Sequence, residues 1–117
     1  MIKRLNERNT SIKEKLKDGV GSINFTIIAD SSELYNKIKM YSTLTIKQGN
    51  SIGYHTHTDE KEIMLISSGV GLYKDDGKEY EVYPGDVTIC DEGHYHGITN
   101  NNKEDLILIA LIIEKDA

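Results

Sequence analysis

All four histidines of this chain fall in two short segments. One reads GNSIGYHTHTDEKEIMLISSG, from Gly49 to Gly69. The other reads GDVTICDEGHYHGITN, from Gly85 to Asn100. His55, His57 and His96 together with Glu62 can form a single metal site. His55 and His57 are two residues apart, and in an extended strand the side chains at i and i+2 share a face. Both imidazoles can then enter one cavity. Glu62 follows closely enough to return to it after a short bend, and His96 arrives from a distant segment. Three neutral imidazoles and a carboxylate suit borderline divalent ions such as Fe, Mn, Co, Ni, Cu or Zn. Such a set leaves coordination positions open for water, substrate or dioxygen, whereas structural zinc sites are closed and more often use cysteine. Read alone, an H-x-H pair is weak evidence: His-Thr-His can be a polar strand end, and Glu62 a solvated carboxylate.

The elements that must position these residues read as β-strands. SINFTIIAD is rich in branched residues, and Met40, Ser42, Leu44 and Ile46 alternate with Tyr41, Thr43 and Thr45. Further strands are expected over 62–67, 71–74, 78–83, 87–90, 95–99 and 106–114. Asp75-Asp76-Gly77 is a hairpin turn signal, and Asn100-Asn101-Asn102 is turn-prone. Phe25 and the stripe Leu106, Leu108, Ala110 and Ile112 are expected in the core. Residues Thr10 to Lys17 are expected to form a short helix capped by Thr10 or Ser11 and stopped by Gly19. Many short strands with glycine turns at close spacing indicate an all-β sandwich or barrel.

Bulk properties limit the function classes. The chain has 117 residues, 38% hydrophobic and 28% charged, which suits one globular domain. Its net charge of -5 argues against nucleic acid as a partner. No apolar run approaches the ~20 residues of a membrane span. The start, MIKRLNERN, lacks the apolar region of a signal peptide. The lone Cys90 has no disulfide partner and reads as a small buried hydrophobe in a reducing cytoplasm.

Glycine spacing adds a family resemblance. The first segment resembles cupin motif 1, G-x(5)-H-x-H-x(3,4)-E-x(6)-G, met by Gly49, His55, His57, Glu62 and Gly69. The second resembles cupin motif 2, G-x(5)-P-x-G-x(2)-H-x(3)-N, met by Gly85, Gly93, His96 and Asn100. Asp91 stands where the motif has proline. An aspartate can hold a turn through side-chain hydrogen bonds, so little loss is expected.

The resemblance implies an all-β fold, a single jelly-roll barrel or double-stranded β-helix. With the expected N-terminal helix, the whole of 1–117 is one domain, its barrel core about 37–114 and its N-terminal helix and strand within 10–30. It also implies one divalent metal per chain on His55, His57, Glu62 and His96, a small-molecule substrate or ligand, and a homodimer. The small stand-alone bacterial and archaeal cupins are the nearest type. Two classes of function remain open. One is a metalloenzyme with dioxygenase-type or isomerase/lyase-type chemistry. The other is a non-catalytic module that binds or senses a small sugar or organic acid. The β surface of SINFTIIAD and the C-terminal strand exceeds what one small barrel covers, which agrees with a dimer.

Residues beside the four ligands have competing readings. His94 can be a rim residue, a proton shuttle or an alternative ligand, and motif 2 favours His96 as the ligand. His94 is therefore the candidate catalytic residue. Glu60 competes with Glu62 in principle, but only Glu62 has the motif spacing. Tyr54 should point away from His55, and Tyr41 can face the cavity or pack in the core.

Overall fold

The computed structural model describes residues 1–116. The described residues form ten strands, with alternating burial clearest in the central ones: β1 (Thr10–Glu14), β2 (Ser22–Ile27), β3 (Ile38–Ile46), β4 (Ser51–Thr56), β5 (Glu60–Ser68), β6 (Gly71–Asp75), β7 (Lys78–Val82), β8 (Val87–Cys90), β9 (Tyr95–Thr99) and β10 (Leu106–Glu114). They form two antiparallel sheets. The larger runs β1-β2-β3-β10-β5-β8 and the smaller runs β4-β9-β6-β7. The architecture is a sandwich of two sheets, open at its edges, rather than the closed barrel expected from the resemblance.

The core is the inward face of both sheets. Ser42, Leu44 and Ile46 of β3, Leu106, Leu108 and Ala110 of β10, and Met64 and Ile66 of β5 are buried. Leu108 stands beside Leu44 on one side and Ile66 on the other. Phe25, Ile52, Tyr73 and Ile98 complete the core. The alternation read from β3 and β10 therefore holds, and Tyr41 lies on the outer face opposite Leu111. The expected hairpin is the β6–β7 turn, where Asp76 and Gly77 both take positive φ, the combination that a two-residue turn of this hand requires.

The expected N-terminal helix is absent. Thr10–Glu14 is a strand paired to β2, from Thr10 against Thr26 to Glu14 against Ser22. Only 3-10 turns, Leu5–Glu7 and Leu16–Asp18, remain nearby. The physical reason is the partner. A short isolated helix is marginal in water, whereas an extended β1 satisfies its backbone on the free edge of β2. Arg8 fixes the approach by donating to the carbonyls of Ile27 and Thr26 and to Thr43 Oγ1.

Candidate metal centre

Each of the four residues reaches the site from a different local cause. β4 and β9 pair so that His55 lies directly opposite His96. His57 follows the end of β4. Glu62 lies on β5, on the inward face that continues through Met64 and Ile66. Their donor atoms lie within 4.8 Å of one another. His57 Nε2, His96 Nε2 and Glu62 Oε1 form a triangle with edges of 3.1, 3.1 and 3.0 Å. That edge length matches cis ligands at about 2.1 Å from a common centre. His57, Glu62 and His96 are buried and His55 is half-buried.

The far side of each imidazole is held. His55 Nδ1 is 2.6 Å from the Gly53 carbonyl oxygen. His57 Nδ1 is 2.7 Å from Glu60 Oε2, and His96 Nδ1 is 2.8 Å from Tyr73 Oη. With the proton on Nδ1 in each ring, all three Nε2 lone pairs point inward. Such outer partners fix the tautomer and ring orientation of metal-ligating histidines. The group can therefore hold a divalent transition metal.

The electrostatics follow from crowding. Burial works to raise the Glu62 carboxyl, but hydrogen bonds with His57 and His96 overcome it and hold the group down to about 2. The bond to Glu62 raises His57 above the usual imidazole value against the effect of burial, and Glu60 adds to the rise. Burial lowers His55 and pushes the Tyr73 phenol well up. The buried Glu62 thus stays ionised and favours positive charge between itself and the imidazoles, whether a proton or a cation.

One side of the group opens into a cavity of about 340 Å³. His55, His57, Glu60 and Glu62 line it with the apolar Phe25, Met40 and Ile112. Lys13, Lys17 and Lys39 line it too, from the N-terminal arm and the start of β3.

His94 is not part of the group. Its ring is exposed, and Nδ1 pairs with Asp76 at 2.5 Å. That bond, with the nearby acidic charge, raises the imidazole above its usual value. Tyr54 points away from His55, stacking on Tyr95 beneath Lys74. Cys90 is buried, and burial pushes its thiol up to about 11, in keeping with an inert small side chain.

The turn residues of the two motifs do what their chemistry suggested. Buried Asn100 closes the 46–104 loop region by donating Nδ2 to the carbonyls of Ile46 and Glu104 and accepting from Asn102 N–H. Asp91, at the position of the motif's proline, accepts from Glu92 N–H through its carboxylate and from His94 N–H through its carbonyl. Sequence reasoning missed the three lysines, Tyr73 and the Gly53 carbonyl. It met Glu60 only as a rival ligand. The i,i+3 spacing of Glu60 from His57 was a usable signal, whereas Tyr73 and the lysines carry no local signature.

A family model described as a cupin domain matches residues 42–112. A protein of Thermotoga maritima named oxalate-binding protein is 30% identical over 113 residues, 97% of this chain and 93% of that protein. A crystal structure described as a predicted oxalate decarboxylase from the same organism superposes with a TM-score of 0.91 at 30% identity, covering 97% of this chain and 99% of the other. The cupin domain of Schizosaccharomyces pombe Cnp3 shares the fold with a TM-score of 0.72 at 12% identity, covering 90% of this chain and 69% of that one. With both motifs in place and the family model spanning most of the sandwich, the chain belongs to the cupin family.

Proposed function

We propose that the chain holds one divalent transition metal on His55, His57, Glu62 and His96 and uses it to bind and transform a small carboxylate anion of the oxalate class. The observation that carries this reading is the cavity itself. It is small, it opens on the converging donor atoms, and lysines line it in a chain whose net charge is -5. A volume of about 340 Å³ lies at the low end for ligand pockets. The names of the Thermotoga relative and of the superposed structure support the same ligand class.

A bound divalent ion would supply a Lewis acid that takes a carboxylate oxygen and withdraws charge from the adjacent carbon. The residues of the chain do the rest. Glu60, Tyr73 and the Gly53 carbonyl hold the three rings with Nε2 inward. Phe25, Met40 and Ile112 exclude water from the far wall. The lysines offset the charge of the anion. This favours lyase-type chemistry, in which a carboxylate is lost without net oxidation, over dioxygenase-type chemistry.

A second reading is a non-catalytic module that binds or senses an organic acid. It is favoured by one feature. Apart from the four proposed ligands, the only carboxylate or imidazole lining the cavity among the described residues is Glu60, which is already engaged by His57. A catalytic role for His94 belongs to the enzyme reading. His94 would act through its pair with Asp76.

The test is metal analysis of protein purified without chelator, followed by calorimetry and product analysis with oxalate. One metal per chain, oxalate binding and release of formate and carbon dioxide support the enzyme. Binding without products supports the sensor, and oxygen uptake supports dioxygenase chemistry. His57→Ala should lose both metal and ligand. No metal after reconstitution with each divalent ion would reject the site.

The homodimer remains part of the proposal. Leu65 pairs with Val87, and Ile63 with Ile89, on the outward face of β5 and β8. Leu65, Val87 and Ile89 are exposed there, an apolar surface suited to a second copy. Light scattering that returns the monomer mass would remove it.

A further inference from the structure

Three lysines line the cavity, but they are not equivalent. Lys39 is committed to Glu114, with Nζ 2.7 Å from Oε2. Lys13 lies over the Phe25 ring at 4.7 Å from its centroid. Lys17 takes part in none of the ion pairs among the described residues. All three lie outside the span matched by the family model.

The backbone that carries Lys17 is unusual. Lys15, Lys17 and Asp18 take φ of 48°, 54° and 63°. Three non-glycine residues in the left-handed region within four positions are disfavoured, and such conformations persist only where the surroundings impose them. Here the surroundings are β4. Asp18 N–H donates to the Lys15 carbonyl and Gly19 N–H to the Leu16 carbonyl. Ser51 N–H donates to the Val20 carbonyl, and Val20 N–H donates to Ser51 Oγ. A Cβ on Gly53 would collide with the Lys17 carbonyl oxygen, and one on Gly19 with the Ser51 carbonyl oxygen. Gly53 also turns its own carbonyl to His55 Nδ1. The turn that presents Lys17 is thus braced on the residue that orients a proposed metal ligand.

We propose that Lys17 is a specificity-determining residue that selects dianionic over monoanionic carboxylates, its ammonium facing the carboxylate that the metal ion leaves free. This rests on the carboxylate reading above and adds to it the residue that reads the second charge. Lys17 is suited to the part because its charge is uncommitted, its backbone is fixed, and Phe25 and Leu16 line the cavity beside it. Lys13, held over an aromatic face, contributes less, and Lys39 is already neutralised by Glu114.

The test compares oxalate with monomethyl oxalate, which has one charge fewer. Calorimetry is run on manganese-loaded wild type, Lys17→Met, Lys17→Arg and Lys13→Met, with metal content measured on each sample. Lys17 is exposed, so its variants should fold. Lys17→Met should weaken oxalate roughly tenfold while monomethyl oxalate changes by less than about twofold. Lys17→Arg should restore most of the oxalate affinity, and Lys13→Met should cost less than Lys17→Met. Added salt should narrow the wild-type preference. Wild-type oxalate affinity in Lys17→Met, or equal losses for both ligands, overturns the assignment to Lys17 while the carboxylate reading stands. Metal-loaded wild type that fails to bind oxalate overturns both.

Discussion

The two ends of the sandwich are built on the same strands and yet behave oppositely. On β5 the inward positions run from Ile66 through Met64 to Glu62, and on β9 from Ile98 to His96. At one end these positions meet Leu106, Ile46 and Leu44, and the buried Asn100 there has its amide fully engaged. At the other end two steps along the same strands bring a buried carboxylate and imidazoles within hydrogen-bond distance. The first end has only apolar surface to remove from water. The second must keep an ionised Glu62 away from solvent, which is costly unless positive charge stands beside it. Apolar packing is concentrated at one end and the candidate metal centre at the other, and the shared strands hold them in register.

Substitutions should separate the two ends. The largest effect on stability is expected from Leu108→Ala. It should lower the unfolding free energy by about 2–5 kcal/mol, seen in chemical denaturation, and leave one metal per chain. Loss of metal stoichiometry in a folded Leu108→Ala protein would show that the ends are not separable.

Removal of the metal comes next. With free metal at a hundred times its Kd, chelation should cost about 2.7 kcal/mol, seen as a lower Tm with the sheets still folded. The effect depends on pH with a definite sign. His57 has a raised folded-state value, so its proton stabilises the metal-free protein below the unfolded value near 6.5 and ceases to as pH climbs through the raised value. The metal competes with that proton. The gap in Tm between loaded and chelated protein should widen as pH rises above 6.5. A gap that narrows with rising pH would contradict the pairing of His57 with Glu62.

Glu60→Gln should be milder. It keeps an acceptor for His57 Nδ1 and removes the charge, so metal affinity should fall on the order of tenfold, as for other outer partners of ligating histidines. Competition with a chelating dye would measure this, and an unchanged affinity would remove Glu60 from the site. The smallest effect on stability and metal content is expected for His94→Ala, whose ring is exposed. Unfolding should shift by no more than about 0.5 kcal/mol and metal content should be unchanged. Loss of turnover in that variant would assign His94 a proton-transfer role.

Much of this was legible in the chain because it is written locally. The i,i+2 pairing of His55 with His57, the Asp-Gly turn before β7, and the alternation through Leu44 and Leu108 depend on neighbours in sequence. The misreadings have the opposite origin. Thr10 to Lys17 satisfies local rules for a helix, but β2 offers an edge that those rules do not see. Tyr73 and His96 meet only because β6 and β9 pair, with Tyr73 opposite Ile98. Nor does composition reveal that Lys17 faces the cavity, since its placement depends on the missing side chain of Gly53. The barrel expected from the family resemblance is in this chain a pair of sheets whose edges stay apart.

The strand order also bears on how the molecule is made. β10 follows every other described strand in the chain, yet it lies in the middle of the larger sheet, between β3 and β5. Until Leu106 to Glu114 leave the ribosome, β3 and β5 have no shared neighbour, and the backbone edges that β10 pairs with stay unpaired. Assembly cannot proceed steadily from the N-terminus. It waits for one late segment to pair at once with distant partners on two strands, Leu106 with Ile46 and Glu114 with Glu60, which lie 60 and 54 residues behind. Closures over such distances slow folding, and a nascent chain stalled before β10 would display two incomplete half-sheets to chaperones and to its neighbours.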